Sequence, residues 1–259
     1  MSARKPIAVP VAPPSNDRPN AVRTPSQARP RSDFFYLIMA VVVALVVAIG
    51  FGRNLDANLL HPPSPRPPIL HVHVAIMTAW VLLFLAQTAL VRARKVSWHR
   101  RLGLCGLAVG APLPLVGIAT AIVTMRAGIA EDPSAGVGGM AFFAISCFDM
   151  LAFALTFWLA IVWRRHPEFH KRLMLIATCG LLSAAFARFP SWAMPRHAWY
   201  AAVDLLIFAG AVRDLIVTHR VHAVYRYGLP ALILGQCFTM WLYLARVPAW
   251  IALVRPLFV

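Results

Sequence analysis

The chain has 259 residues, 60% of them hydrophobic and 13% charged, with a mean hydropathy of +0.69. Soluble domains average roughly 45–50% and about 25%, so a soluble enzyme is excluded and a membrane protein implied. The formal charge of +16 is almost wholly arginine, the only lysines being Lys5, Lys95 and Lys171, and these cations lie between apolar spans rather than together on one face, which sets nucleic-acid binding aside.

Residues 1–33 carry seven prolines with scattered Arg and Ser and no apolar period, a composition that predicts a disordered tail. From Phe34 to the end at Val259 the sequence predicts one all-α transmembrane bundle. Its seven apolar segments are 34–52, 69–91, 102–125, 141–163, 173–188, 199–217 and 229–245, each close to the roughly 30 Å of a hydrocarbon core. Pro112 and Pro114 are expected to kink the third, where Gly106 and Gly110 offer a close-packing face. Lys and Arg alternate between connections: the tail and every second connection after it hold 18, the others 7. The positive-inside rule then puts the N-terminus in the cytoplasm and the C-terminus outside, in a bacterial inner membrane.

Two imidazoles open the second segment, in Leu70-His71-Val72-His73. On a helix they lie about 200° apart and cannot share an ion. If the chain is still extended after Pro67-Pro68, both rings point the same way and His71 and His73 become joint metal ligands. Asp149 near the middle of the fourth segment, Asp204 in the sixth and Arg188 at the end of the fifth belong to the same outer half. With the two histidines they are expected to form an outer polar pocket, because intramembrane carboxylates face bundle interiors.

Trp98-His99-Arg100-Arg101-Leu102 and Phe169-His170-Lys171-Arg172-Leu173 share one pattern, each closing an inner loop just before a span. A weaker version, His219-Arg220-Val221-His222, lies in the next inner loop. Segments two to seven therefore read as three helical hairpins with a histidine at each inner turn. Arg100, Arg101, Lys171, Arg172 and Asp214 make up the inner charged set. His99, His170 and His222 are the candidate inner ligands, two imidazoles on different helices being able to hold one b-type haem or a divalent metal while the flanking cations pair its propionates. The four cysteines, Cys105, Cys147, Cys179 and Cys237, fall within apolar segments with no C-x-x-C pair and are expected to be small buried residues.

The runs LHVHVAIMTAWVLLFLAQT, WHRRLG, RRHPEFHKRLMLIAT, AFARFP and VDLLIFAGAVRDL together resemble a family of small, uncharacterised bacterial polytopic membrane proteins over residues 34–245. More distantly, the H-R-x-x-G turn is similar to domain-of-unknown-function families, some linked to haem–copper oxidase assembly. The resemblance puts His71, His73, His99, Asp149, His170, Arg188, Asp204, Asp214 and His222 in motif positions and supplies no reaction. The leading expectation is a non-enzymatic haem- or metal-binding accessory of respiratory-chain assembly, partnered by the bilayer and by other membrane-complex subunits. A metal-dependent membrane hydrolase and a proton-coupled transporter relaying through Asp149, Asp204 and Arg188 remain as alternatives.

Overall fold

The computed structural model describes residues 34–53, 55, 61–62 and 65–258, and the expected tail lies outside them. Among the described residues there is no strand, and ten α-helices follow one another: α1 Phe35–Gly52, α2 Pro68–Arg92, α3 Val96–Gly110, α4 Leu113–Glu131, α5 Gly136–Val162, α6 Pro167–Gly180, α7 Ser183–Phe186, α8 Trp199–Thr218, α9 Ala223–Leu244 and α10 Pro248–Val254. Six stretches are long and apolar enough to cross a membrane: α1, α2, α3 with α4, α5 with the short turn before it, α6 with α7, and α9. The seventh expected span, α8, has the length for it at 20 residues, about 30 Å, but is interrupted by Asp204, Arg213 and Asp214. The architecture is an all-α polytopic bundle.

Its hairpins are the expected ones. α2 packs on α3, α5 on α6 and α8 on α9, through the short connections 93–95, 163–166 and 219–222. Ring contacts between His99 and His170 and between Phe169 and His222 gather these connections at one end of the bundle, the turn end. At the α8–α9 connection His219 takes φ 54° and ends the helix in the left-handed conformation, the geometry by which a helix commonly stops.

The structure corrects the placement of the repeat motifs in loops. Val96 and Pro167 already begin helices, so His99 and His170 are each the fourth residue of one, at matching positions. Proline at the first helical position of α6 starts a helix rather than delaying it, since its missing N–H would be unpaired there anyway.

The third span breaks as its prolines require: α3 stops at Gly110 and α4 starts at Leu113. Gly110 is buried where three helices meet, and a Cβ there would strike the rings of Phe157 and Trp80. Those rings form an edge-on pair 5.5 Å apart between α2 and α5. At Gly106, by contrast, a Cβ would meet nothing within 4 Å; only half of the expected glycine pair is used for packing. Gly50 admits α1 against the backbone of Ala185 in α7.

The α6–α7 segment is the most buried of the six spans and contributes Leu175, Ile176 and Cys179 to the largest core cluster. Outward-facing Leu104, Leu115, Leu205 and Leu234 are 68–75% exposed, as lipid-facing residues are. The cysteines divide: Cys179 is buried and Cys147 half-buried, but Cys105 and Cys237 are exposed. The expectation that all four are buried fails for these two, because in a bundle bathed in lipid an apolar position need not point inward.

Candidate functional site

Polar chemistry gathers at two depths. At the turn end, Arg172 and Asp214 form an ion pair that is 1% and 0% exposed. Arg172 donates through Nε to Asp214 Oδ2 at 2.7 Å and through Nη2 to Oδ1 at 2.6 Å, a two-pronged contact between α6 and α8. Its Nη1 donates to the Glu168 carbonyl and to Glu168 Oε2, both at 2.6 Å. Lys171 donates to Glu168 Oε1 at 2.7 Å, and Arg213 to Asp214 Oδ1 at 3.1 Å. Tyr36 of α1 lies beneath both Lys171 and Arg213. Arg101, which occupies the place of Arg172 in the repeat, is exposed and lies 5.7 Å from the Trp98 ring; Arg100 is exposed as well. The repeat is thus symmetric in sequence and asymmetric in burial, because α6 is central and α3 peripheral.

Beside this network the His99 and His170 rings stand 6.4 Å apart, centre to centre, with planes at 79°. His170 Nδ1 lies 2.9 Å from the Ala160 carbonyl of α5. A carbonyl can only accept, so Nδ1 carries a proton, and in the neutral ring Nε2 is then the nitrogen with the lone pair. His99 Nδ1 and Gln87 Oε1 are both buried without a hydrogen-bond partner among the described residues, and the Gln87 backbone acts on the His99 ring. Gly103 and Gly106 follow His99 on the same face of α3 at i+4 and i+7.

His222 does not join that pair. It caps α9, its Nδ1 accepting from the Val224 N–H at 3.2 Å, with its ring 4.5 Å from that of Phe169. Burial first, and then the Arg172 guanidinium, hold this imidazole below its ordinary value of 6.5; Lys171 adds to that and the Asp214 and Glu168 carboxylates oppose it. Unfolding releases the ring to take up a proton, so the unfolded chain binds more protons and stability is lost as pH falls below about 6.5. Thermal melts in detergent from pH 8 to 5 are expected to show that loss. His222→Asn, which keeps a capping acceptor, should flatten the profile, and an unaltered slope would remove His222 as its source.

At the far end, Asp149 accepts from Ser183 Oγ at 2.5 Å and from the Tyr200 hydroxyl at 2.9 Å. Asp204, one turn along α8 from Tyr200, acts electrostatically on that hydroxyl and accepts from Gln236 Nε2 of α9 at 3.0 Å. Arg188 is not bonded to either carboxylate. It donates to the Ala184 carbonyl at 2.5 Å and lies 4.5 Å over the Phe51 ring. α2 is helical from Pro68, so the histidine pair takes the helical alternative: His71 is exposed, while His73 is half-buried with Arg188 in electrostatic range. The single outer pocket expected from the sequence thus divides into a carboxylate chain on α5, α8 and α9 and a separate neighbourhood of His73 with Arg188.

Sequence reasoning passes over Glu168, Tyr36, Ser183, Tyr200 and Gln236. Only Glu168 carries a legible signal, lying four residues before Arg172 on one helix face. Among the described residues no three or more His, Cys, Asp or Glu side chains converge as a metal-binding group. Comparison of the chain with family models, with curated proteins and with solved structures finds no match in any of the three.

Proposed function

We propose that this is an integral membrane protein that binds one b-type haem between His99 and His170, acting as a redox accessory rather than as an enzyme. The separation of the two rings carries the reading. A metal about 2 Å from one nitrogen of each ring, on the line joining them, sets the ring centres about 6 Å apart, against the observed 6.4 Å. An iron already held by a porphyrin needs only two protein ligands, whereas a bare ion in a structural site asks for about four; this favours haem over a divalent metal and over the hydrolase reading.

The Ala160 carbonyl on His170 Nδ1 is the kind of outer contact that orients a ligating imidazole. The unpartnered Gln87 Oε1 leaves a polar atom beside His99 for a bound group to organise. Half-buried Gly106, with open space where a Cβ would stand, leaves room beside His99 for a flat macrocycle. Arg92, Arg94, Lys95, Arg100, Arg101 and Lys171 lie in or beside the two turns and suit propionates. Bound there, haem supplies reversible one-electron transfer, and the protein sets its access and potential. The same cations support a cytoplasmic turn end in a bacterial inner membrane, and the resemblance of the motifs supports a role beside respiratory-complex subunits.

The test is a reduced-minus-oxidised spectrum of detergent-purified protein from haem-sufficient cells, with haem quantified per chain. One low-spin haem per chain is expected, lost in both His99→Ala and His170→Ala and kept in His71→Ala. A wild type without a Soret band, or a band indifferent to both substitutions, overturns the assignment.

A further inference from the structure

We propose that Asp149, with Tyr200 and Ser183 as its partners, is a proton-binding site held as the neutral carboxylic acid inside the bundle, with Tyr200 between it and the far end. Of the three aspartates within α5 and α8, only Asp214 has a cation, being paired with Arg172. Among the described residues Asp149 and Asp204 have none within ion-pair distance; the groups that hydrogen-bond to them are the hydroxyls of Ser183 and Tyr200 and the amide of Gln236.

The hydrogen-bond count favours the acid. Ionised, Asp149 offers four lone-pair sites and receives two neutral donors, an arrangement that leaves a full charge poorly compensated among α5, α7 and α8. Protonated, Oδ1 still accepts from Tyr200 while the Oδ2 hydroxyl donates to Ser183 Oγ, which accepts as readily as it donates. Both contacts survive and no charge remains. Among the described residues no charged side chain acts directly on Asp149, and the groups facing it from α7 and α8 are Ser183 and Tyr200; Asp204 acts on the shared Tyr200.

Depth agrees with this. Asp149 is 13 residues from the turn end of α5 and Asp204 is 14 from that of α8. At about 1.5 Å per residue both lie about 20 Å from the turn end, Asp149 at the midpoint of the 27-residue α5 and Asp204 about 8 Å short of the far end of α8. Tyr200, near the first turn of α8, stands between the pair and that end. Arg188, expected to share in such a relay, is turned onto Phe51 and Ala184 instead, which denies the carboxylates that counter-charge and leaves them dependent on the proton.

The experiment is infrared spectroscopy of the carboxylic-acid carbonyl stretch in nanodisc-reconstituted protein, in water and deuterium oxide, from pH 5 to 9. A protonated carboxyl band is expected at pH 7, absent in Asp149→Asn and shifted to higher frequency in Tyr200→Phe, which removes one donor from the same oxygen. Raising the pH should bleach it reversibly. Wild-type and Asp149→Asn spectra that coincide at pH 7 would show an ionised aspartate and overturn the proposal. If Asp149→Asn fails to fold, a band unmoved in Tyr200→Phe and in Ser183→Ala overturns it equally. The readout needs no haem, so it stands or fails apart from the spectrum of the His99–His170 pair.

Discussion

Arg172→Ala is expected to cost the folded bundle about 3–5 kcal/mol, the usual penalty for removing one partner of a buried ion pair. The reason lies in what is left behind. Asp214 is 0% exposed, and without Arg172 its two oxygens keep the 3.1 Å contact from Arg213 and the backbone N–H of His222, neither of which replaces the two-pronged guanidinium. Glu168 also loses one of its two partners on the central helix and keeps Lys171. Arg172→Lys should recover part of the loss, since a single ammonium restores the charge but cannot reproduce the fork that meets both Asp214 oxygens. The double change Arg172→Met with Asp214→Leu is expected to be milder than either single truncation, because it removes the charge and its stranded partner together. Thermal unfolding followed by size-exclusion profile in one detergent reads all of these. A melting temperature for Arg172→Ala equal to that of wild type would mean that the pair is not formed in the membrane-extracted protein.

Gly50→Leu is the second large effect, expected at about 1–3 kcal/mol as overpacking. Even a lone Cβ at Gly50 would overlap the carbonyl oxygen, carbonyl carbon and Cα of Ala185. Backbone cannot swing aside as a side chain can, so α1 must lift from α7 and expose the seam between Val43, Val46 and the core they enter. Gly52→Ala is the control. It lies further along the same helix, where a Cβ meets nothing within 4 Å, and should leave the melting temperature within a degree or two. Equal effects at the two positions would separate the loss from the α1–α7 approach.

Hydropathy makes most of the bundle legible, because a span must be apolar whatever it packs against. It is least informative where polarity is needed inside. Arg172 and Asp214 lie 42 residues apart, and nothing local marks them as partners; the positive-inside pattern accounts for Arg172 equally well as an interfacial cation. Arg101 carries the same motif and is exposed. Ser183, Tyr200 and Gln236 are hidden for a different reason: neutral polar residues in spans are common, and only the fold reveals which of them reach a carboxylate. Asp149 and Asp204 themselves stand out, since charge in a span is rare. The histidine pair in Leu70-His71-Val72-His73 turns on whether Pro68 delays the helix or begins it, and it begins it. The turn-end histidines read as loop residues because the runs His99-Arg100-Arg101 and His170-Lys171-Arg172 interrupt the apolar pattern inside α3 and α6.

The difference in depth between the two polar layers has an electrical meaning. Arg172 with Asp214 is neutral as a pair, so the membrane potential does no work on it. A proton reaching Asp149 from the far side carries a whole charge across about a quarter to a half of the bilayer. At about 2.3 kcal/mol per charge per 100 mV for the full thickness, that step is worth roughly 0.6–1.2 kcal/mol, about a three- to sevenfold change in occupancy. Charging the membrane therefore fills or empties this site without touching the lock beneath it.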